Sequence, residues 1–144
     1  TGELMLSARN VRNGFLDLSN ISYVSKENFK KELKHCAPQK DDILMVCVGA
    51  TIGRTAIVRN EPTFMIVRSV ALIRPSKKII PFYLLYYMQY LPIQNVIKKM
   101  VHDTARGGLY LNKINKIPLT IHCINPNMTP IVLHPRTYLK IRRR

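Results

Sequence analysis

Asp41-Asp42-Ile43-Leu44-Met45-Val46-Cys47-Val48-Gly49-Ala50-Thr51-Ile52-Gly53-Arg54-Thr55-Ala56-Ile57-Val58 reads as a strand, a glycine-bounded turn and a second strand. Ile43 to Val48 is a short apolar run, and Arg54 to Val58 is another, rich in β-branched residues. Gly49 and Gly53 permit backbone angles that other residues resist. The turn is therefore expected to be tight, with Thr51 and Arg54 at its rim. An arginine on a rigid turn suits a phosphate or a guanine edge. An ordinary hairpin with one solvated arginine fits the same local pattern.

Working outward, Glu3 to Ala8 is a strand candidate, followed by an Asn13-Gly14 turn and a second strand over Ile21–Val24. Ser25 is placed to cap a short helix of one or two turns carrying Phe29 and Leu33. After Asn60-Glu61-Pro62 comes one long strand, Phe64 to Arg74, with a bulge or bend at Arg68-Ser69. Pro81 suits the first position of a helix running to Tyr90, with Leu84, Leu85, Met88 and Leu91 as its buried stripe. Pro92 restarts or kinks that helix, and Val96, Ile97, Met100 and Val101 continue the apolar face. A glycine-bearing loop from His102 to Leu109, a helical turn over Leu111–Lys116 and a strand over Ile117–Ile121 complete the pattern. Strands dominate the first half and helix the second. The expected fold is α+β, a curved and mainly antiparallel sheet with helices packed on one side.

A chain of 144 residues is long enough for one domain with a substantial core. We divide it into a domain over residues 1–121 and a basic, proline-containing tail over 122–144, truncated or non-native in appearance. With Pro126, Pro130 and Pro135, that tail forms no single long helix. The net charge is +15, and the tail carries five of those charges, so the domain is basic in its own right. A field of that sign implies a polyanionic partner. No apolar run reaches membrane-spanning length and no signal pattern opens the chain, so a cytoplasmic location without membrane association is expected. Three cysteines without a Cys-x-x-Cys pair argue against a disulfide framework and against zinc.

No catalytic constellation is visible. There is no phosphate-binding glycine loop with lysine and no nucleophile elbow, and the eight acids are scattered. The positive chemistry is that of binding. Arginine and asparagine read guanine and adenine bidentately in the major groove. Arg9, Asn10 and Arg12 lie at one strand-to-turn edge, Thr51 and Arg54 on the glycine turn, and Arg68 at the bend. Arg106, Tyr110, Asn112 and Lys113 lie in or beside the second glycine loop. These ten residues are the candidate DNA-binding set, with no catalytic and no metal-binding residue. Tyr83, Tyr86, Tyr87 and Tyr90 lie at helical spacing, which suits partial burial better than an RNA-stacking platform.

The central stretch also resembles the target recognition domain of the specificity subunit of Type I restriction-modification systems. Asp42-Ile43-Leu44, Gly49, Ile52, Gly53 and Arg54 match that family's pattern in order and spacing, with Asp41 where the family has glycine. Ser69 to Pro75, the aromatic helix Phe82 to Met88, and Gly107-Gly108-Leu109-Tyr110-Leu111-Asn112 with Ile114 and Ile117-Pro118-Leu119 extend the likeness across residues 3–121. The family's Pro-Pro and Glu-Gln stretch and the long helix after it have no counterpart in His122 to Arg144. The resemblance implies a non-catalytic reader of one half of a bipartite duplex DNA target. Its partners would be the modification and restriction subunits, and S-adenosylmethionine, ATP and magnesium would belong to them. A homodimer could rebuild a two-domain subunit. The alternative is a remnant or interaction module that binds nucleic acid without sequence preference.

Overall fold

The computed structural model describes residues 2–104, 107–121, 131–133 and 139–142. The hairpin forms as expected: β3 (Ile43–Val46) and β4 (Thr55–Ile57) pair antiparallel, with Leu44 opposite Ala56. β6 (Val70–Pro75) pairs antiparallel on the other side of β3, with Leu44 opposite Leu72. Every residue of β3 is buried. A strand this apolar throughout must be covered on both faces, because alternate side chains point to opposite sides of a sheet.

Both covers are present. Ile43, Met45, Ile57, Ala71 and Ile73 pack with Leu84, Leu85 and Met88 of α2 (Pro81–Gln89), Ile93 and Ile97 of α3 (Leu91–His102), and Ile114 of α4 (Leu111–Ile114). Leu44, Val46, Ala56 and Leu72 face the other way. They meet Leu6 of β1 (Glu3–Leu6), Ile66 of β5 (Met65–Ile66) and the loop residues Val11 and Leu16. β1 lies between β2 (Ser22–Val24), antiparallel, and β5, parallel, as a second sheet. The fold is therefore α+β and mainly antiparallel, with its strands divided among separate sheets. α2, α3 and α4 share one face, whereas α1 (Lys26–His35) contacts β5. Ser25 caps α1 by accepting from the Asn28 amide at 3.4 Å, and the helix runs ten residues, longer than expected.

Three further sequence expectations need correction. The run from Phe64 to Arg74 is two strands in different sheets. Val67 donates to Leu6 beside β1, and the turn closed by the Val70 amide on the Val67 carbonyl hands the chain over to β3. Leu91 is 66% exposed, because Tyr90 adopts an extended ψ of 132° between the helices and rotates the next face. Ile93 takes the buried position instead. The segment set apart as a tail contributes backbone to two sheets. β8 (Ile131–Leu133) pairs with β7 (Leu119–Ile121), and β9 (Leu139–Arg142) pairs with β6. Among the described residues, no helix is long and apolar enough to cross a membrane.

Among the described residues Asp41 is the non-glycine residue with positive φ, at 71°. It stands directly before Asp42, where the strand begins. The left-handed region costs most residues about 1–2 kcal/mol, and aspartate less. Asp41→Gly is therefore expected to raise stability by roughly 0.5 kcal/mol, whereas Asp41→Val lowers it by about 1–2 kcal/mol. Urea unfolding of the three proteins checks the order, and a valine variant as stable as the parent would refute it.

Candidate nucleic-acid interface

One end of the four-stranded sheet gathers four loops that are far apart in sequence. The junction is Cys47, immediately after β3. Its amide donates to the Ser69 carbonyl at 2.7 Å, and its carbonyl accepts from the Leu109 amide at 2.8 Å. Val48 also bridges Gly108. The glycine turn, the Arg68 turn and the loop before α4 are thereby fixed side by side by main-chain bonds. The fourth loop, which carries Arg9 to Phe15, docks on the edge strand: the Gly14 amide donates to the Thr55 carbonyl at 2.9 Å.

The glycine turn is held from below by α3. Gln94 Nε2 donates to the Gly53 carbonyl at 2.9 Å and to the Met88 carbonyl at 2.6 Å. Gly53 has φ +89°, and a Cβ there would stand 2.9 Å from Gln94 Oε1 and 3.3 Å from Ile97 Cγ2. Glycine is therefore required twice, by backbone angle and by close approach. The Gly53 amide closes the turn on the Val46 carbonyl at 2.9 Å. Gly49, Ala50 and Ile52 roof a cavity of about 220 Å³ whose floor includes Ile97, Lys98 and His102. Gln89 makes a similar clamp, donating to Thr55 at 3.2 Å. The sequence reading missed both glutamines. The available signal was their place one or three residues from buried apolar positions on helices rich in apolar side chains.

The structure brings Thr51, Arg54, Arg68 and Tyr110 to this one end, with Asn112 and Lys113 on the α4 turn that follows Tyr110. Thr51 and Arg54 are half-buried, and the Arg54 guanidinium has no hydrogen-bond or ionic partner among the described residues. Arg68, Tyr110 and Asn112 are exposed and Lys113 is half-buried. Arg106 lies outside the described residues.

The first loop is different in kind. Asn10 is 1% exposed and makes four hydrogen bonds. Its Oδ1 accepts from the Ser7 amide and hydroxyl, and its Nδ2 donates to the carbonyls of Asp17 and Asn20. That exhausts the amide's capacity, so Asn10 builds the loop and presents no edge to a base. This corrects the sequence-based expectation. Arg9 donates to the Ser22 hydroxyl. Arg12 pairs with Asp17 through Nε at 3.1 Å and Nη2 at 3.0 Å. The Ser19 hydroxyl and amide hydrogen bonds, then Arg12, lower the Asp17 carboxyl to about 2. Asp17 thus stays ionised at any ordinary pH and keeps a partner for Arg12.

The opposite end of the sheet holds a larger cleft, about 540 Å³, beside Asp42, Arg74 and Lys77. Its principal charges neutralise each other. Arg74 donates to both Asp42 oxygens, at 2.8 and 2.7 Å. Among the described residues no group of three His, Cys, Asp or Glu side chains could hold a metal ion.

One sheet end thus presents anchored loops that carry Arg54, Arg68 and Lys113. No family model matches the chain. It is 34% identical over 112 residues to the Type I restriction enzyme EcoBI specificity subunit of Escherichia coli, a stretch that is 76% of this chain. The chain spans about a quarter of that relative's length, 23%.

Proposed function

We propose that this chain is a target recognition module of a Type I restriction-modification specificity subunit, reading one half of a bipartite duplex DNA target. The observation that carries this is the convergence of Arg54, Arg68 and Tyr110 on one sheet end, from loops pinned together at Cys47. A rigid frame with polar tips is what base readout needs, since a misplaced fork loses its bidentate geometry. The net charge of +15 supplies the attraction to phosphate. The 34% identity to a specificity subunit supports the same reading. On this reading the chain is not an enzyme. Methylation and cleavage, with S-adenosylmethionine, ATP and magnesium, belong to modification and restriction subunits in the cytoplasm.

A binding selection on random duplex DNA, at low and moderate salt, tests the proposal. Enrichment of a short motif that survives added salt is expected. Uniform, salt-sensitive retention would mean that charge alone acts, as in a remnant without sequence preference. Arg54→Ala is expected to lose about 1–3 kcal/mol on the selected site and to relax one base position. Equal weakening on every sequence would reduce Arg54 to a phosphate contact.

A further inference from the structure

Beside the edge strand β4 lies a second groove, of about 320 Å³, between the Gly14 loop and α2. Such a volume is at the small end for pockets that take small organic ligands, about 300–1,000 Å³. Phe15 and Tyr86 line it and are 57% and 64% exposed. Exposed aromatic rings that line one groove lack the burial that normally stabilises them. Tyr86 continues a row, since its ring lies 6.4 Å from that of Phe82, and the Arg59 guanidinium sits 5.3 Å over the Phe82 ring. Tyr86 and Arg59 line the groove, and both contact the Phe82 ring beside it.

The polar groups in the groove are those that read the edge of a base. Asn13 offers an amide with both donor and acceptor. Gln89 uses Nε2 on Thr55, which leaves Oε1 as an acceptor. Glu61 accepts from the Arg59 amide through Oε2 at 2.6 Å and keeps a second oxygen. Two acceptors and an amide between π-faces suit a planar heterocycle with an exocyclic amine. Pockets for extruded bases are built this way, by stacking on aromatic walls and by hydrogen bonds to the pairing edge.

We propose that this groove takes a single unpaired nucleobase, with adenine, cytosine or guanine favoured over thymine. The inference rests on reading the chain as a DNA-binding module. It adds a site for a base outside the duplex to the sheet-end loops that face the paired one. Two sources supply the same chemistry: a base extruded from the duplex and a base of a single strand.

The test measures binding of the full chain to three probes: a fully paired duplex, the same duplex with one unpaired adenine, and one strand alone. The unpaired base is expected to raise affinity about tenfold, in the range that one stacked base contributes. Phe15→Ala and Tyr86→Ala are each expected to abolish that gain, and Tyr86→Ala, on α2 away from the sheet-end loops, to bind the paired duplex as the parent does. Glu61→Gln keeps the carbonyl acceptor but adds a donor, and is expected to narrow the preference for unpaired adenine over unpaired thymine. A gain confined to the unpaired-adenine duplex assigns the groove to extruded bases, and an equal gain on the single strand assigns it to that source. Equal affinity for all three probes, or a gain that survives both aromatic substitutions, would overturn the proposal. A retained gain with no motif selected from paired DNA would instead remove only the sequence-reading function.

Discussion

Arg74→Met is expected to lower the stability of the domain by about 3 kcal/mol, the lower part of the range for breaking a buried ion pair. Asp42 is only 2% exposed at its side chain, so the variant would leave a carboxylate buried beside a thioether. The lost contacts are two charge-assisted hydrogen bonds to Asp42 and one from Arg74 to the Ala37 carbonyl at 2.9 Å. Among the described residues only the Gln39 amide, at 2.8 Å, would still support the carboxylate. The hydrogen bonds that Arg74 donates to Asp42 are also the main reason that its guanidinium is held above its ordinary pKa. Arg74 is partly solvated, and water reaching that side keeps the loss from the top of the range. The double variant Arg74→Met with Asp42→Leu should recover most of the stability, since an apolar pair leaves no charge behind. Urea unfolding of parent, single and double variants gives the cycle. A single-variant loss below about 1 kcal/mol would show that the pair behaves as a surface bridge.

Gly53→Ala is the second large effect, with an expected loss of about 2–5 kcal/mol. A left-handed backbone angle costs alanine about 1–2 kcal/mol, and overpacking against Gln94 and Ile97 adds about 1–3 kcal/mol. Gly49→Ala is the matched control. Its φ is +103°, but an added Cβ meets nothing within 4 Å, so only the backbone cost applies. The gap between the two variants therefore measures how firmly α3 holds the turn. On the proposed function, displacing Gln94 also moves Arg54, so Gly53→Ala should weaken binding to the selected DNA site more than Gly49→Ala does. Equal stability losses in the two variants would mean that Gln94 gives way freely and that the clamp is not rigid.

The hairpin was legible because three signals coincide within residues 43–58: a short apolar run, paired glycines and a second apolar run. The division of the neighbouring strand was not. Met65-Ile66 and Val70 to Ile73 are both buried and apolar, so nothing in their pattern says that one pairs with β1 and the other with β3. Pairing partners are a property of the whole chain, and hydrophobicity does not name them. Leu91 failed for a local reason, since Pro92 starts a new helix and resets the phase of the buried stripe. At the candidate interface the arginines were legible as residue types on loops. Asn10 was not distinguishable from a reader, because the same amide that could bind adenine also satisfies two carbonyls in a tight loop. The Asp42–Arg74 pair spans 32 positions, and nothing in the local pattern around either residue names the other.

The pinning of the loops at Cys47 is made by the amide and carbonyl of the main chain, and the Gly14 loop is fastened to β4 in the same way. Main-chain bonds form whatever side chain a residue carries. The Ala50 and Thr51 side chains between those fastenings therefore owe the fold little and can be exchanged without undoing the frame, whereas Asn10, Ile52 and Gly53 help to hold it. A sheet end built like this is a socket. On the proposed function, new side chains at Ala50, Thr51 and Arg54 could be fitted while the sheets beneath keep their register, and a change of target would then require only a change of tips.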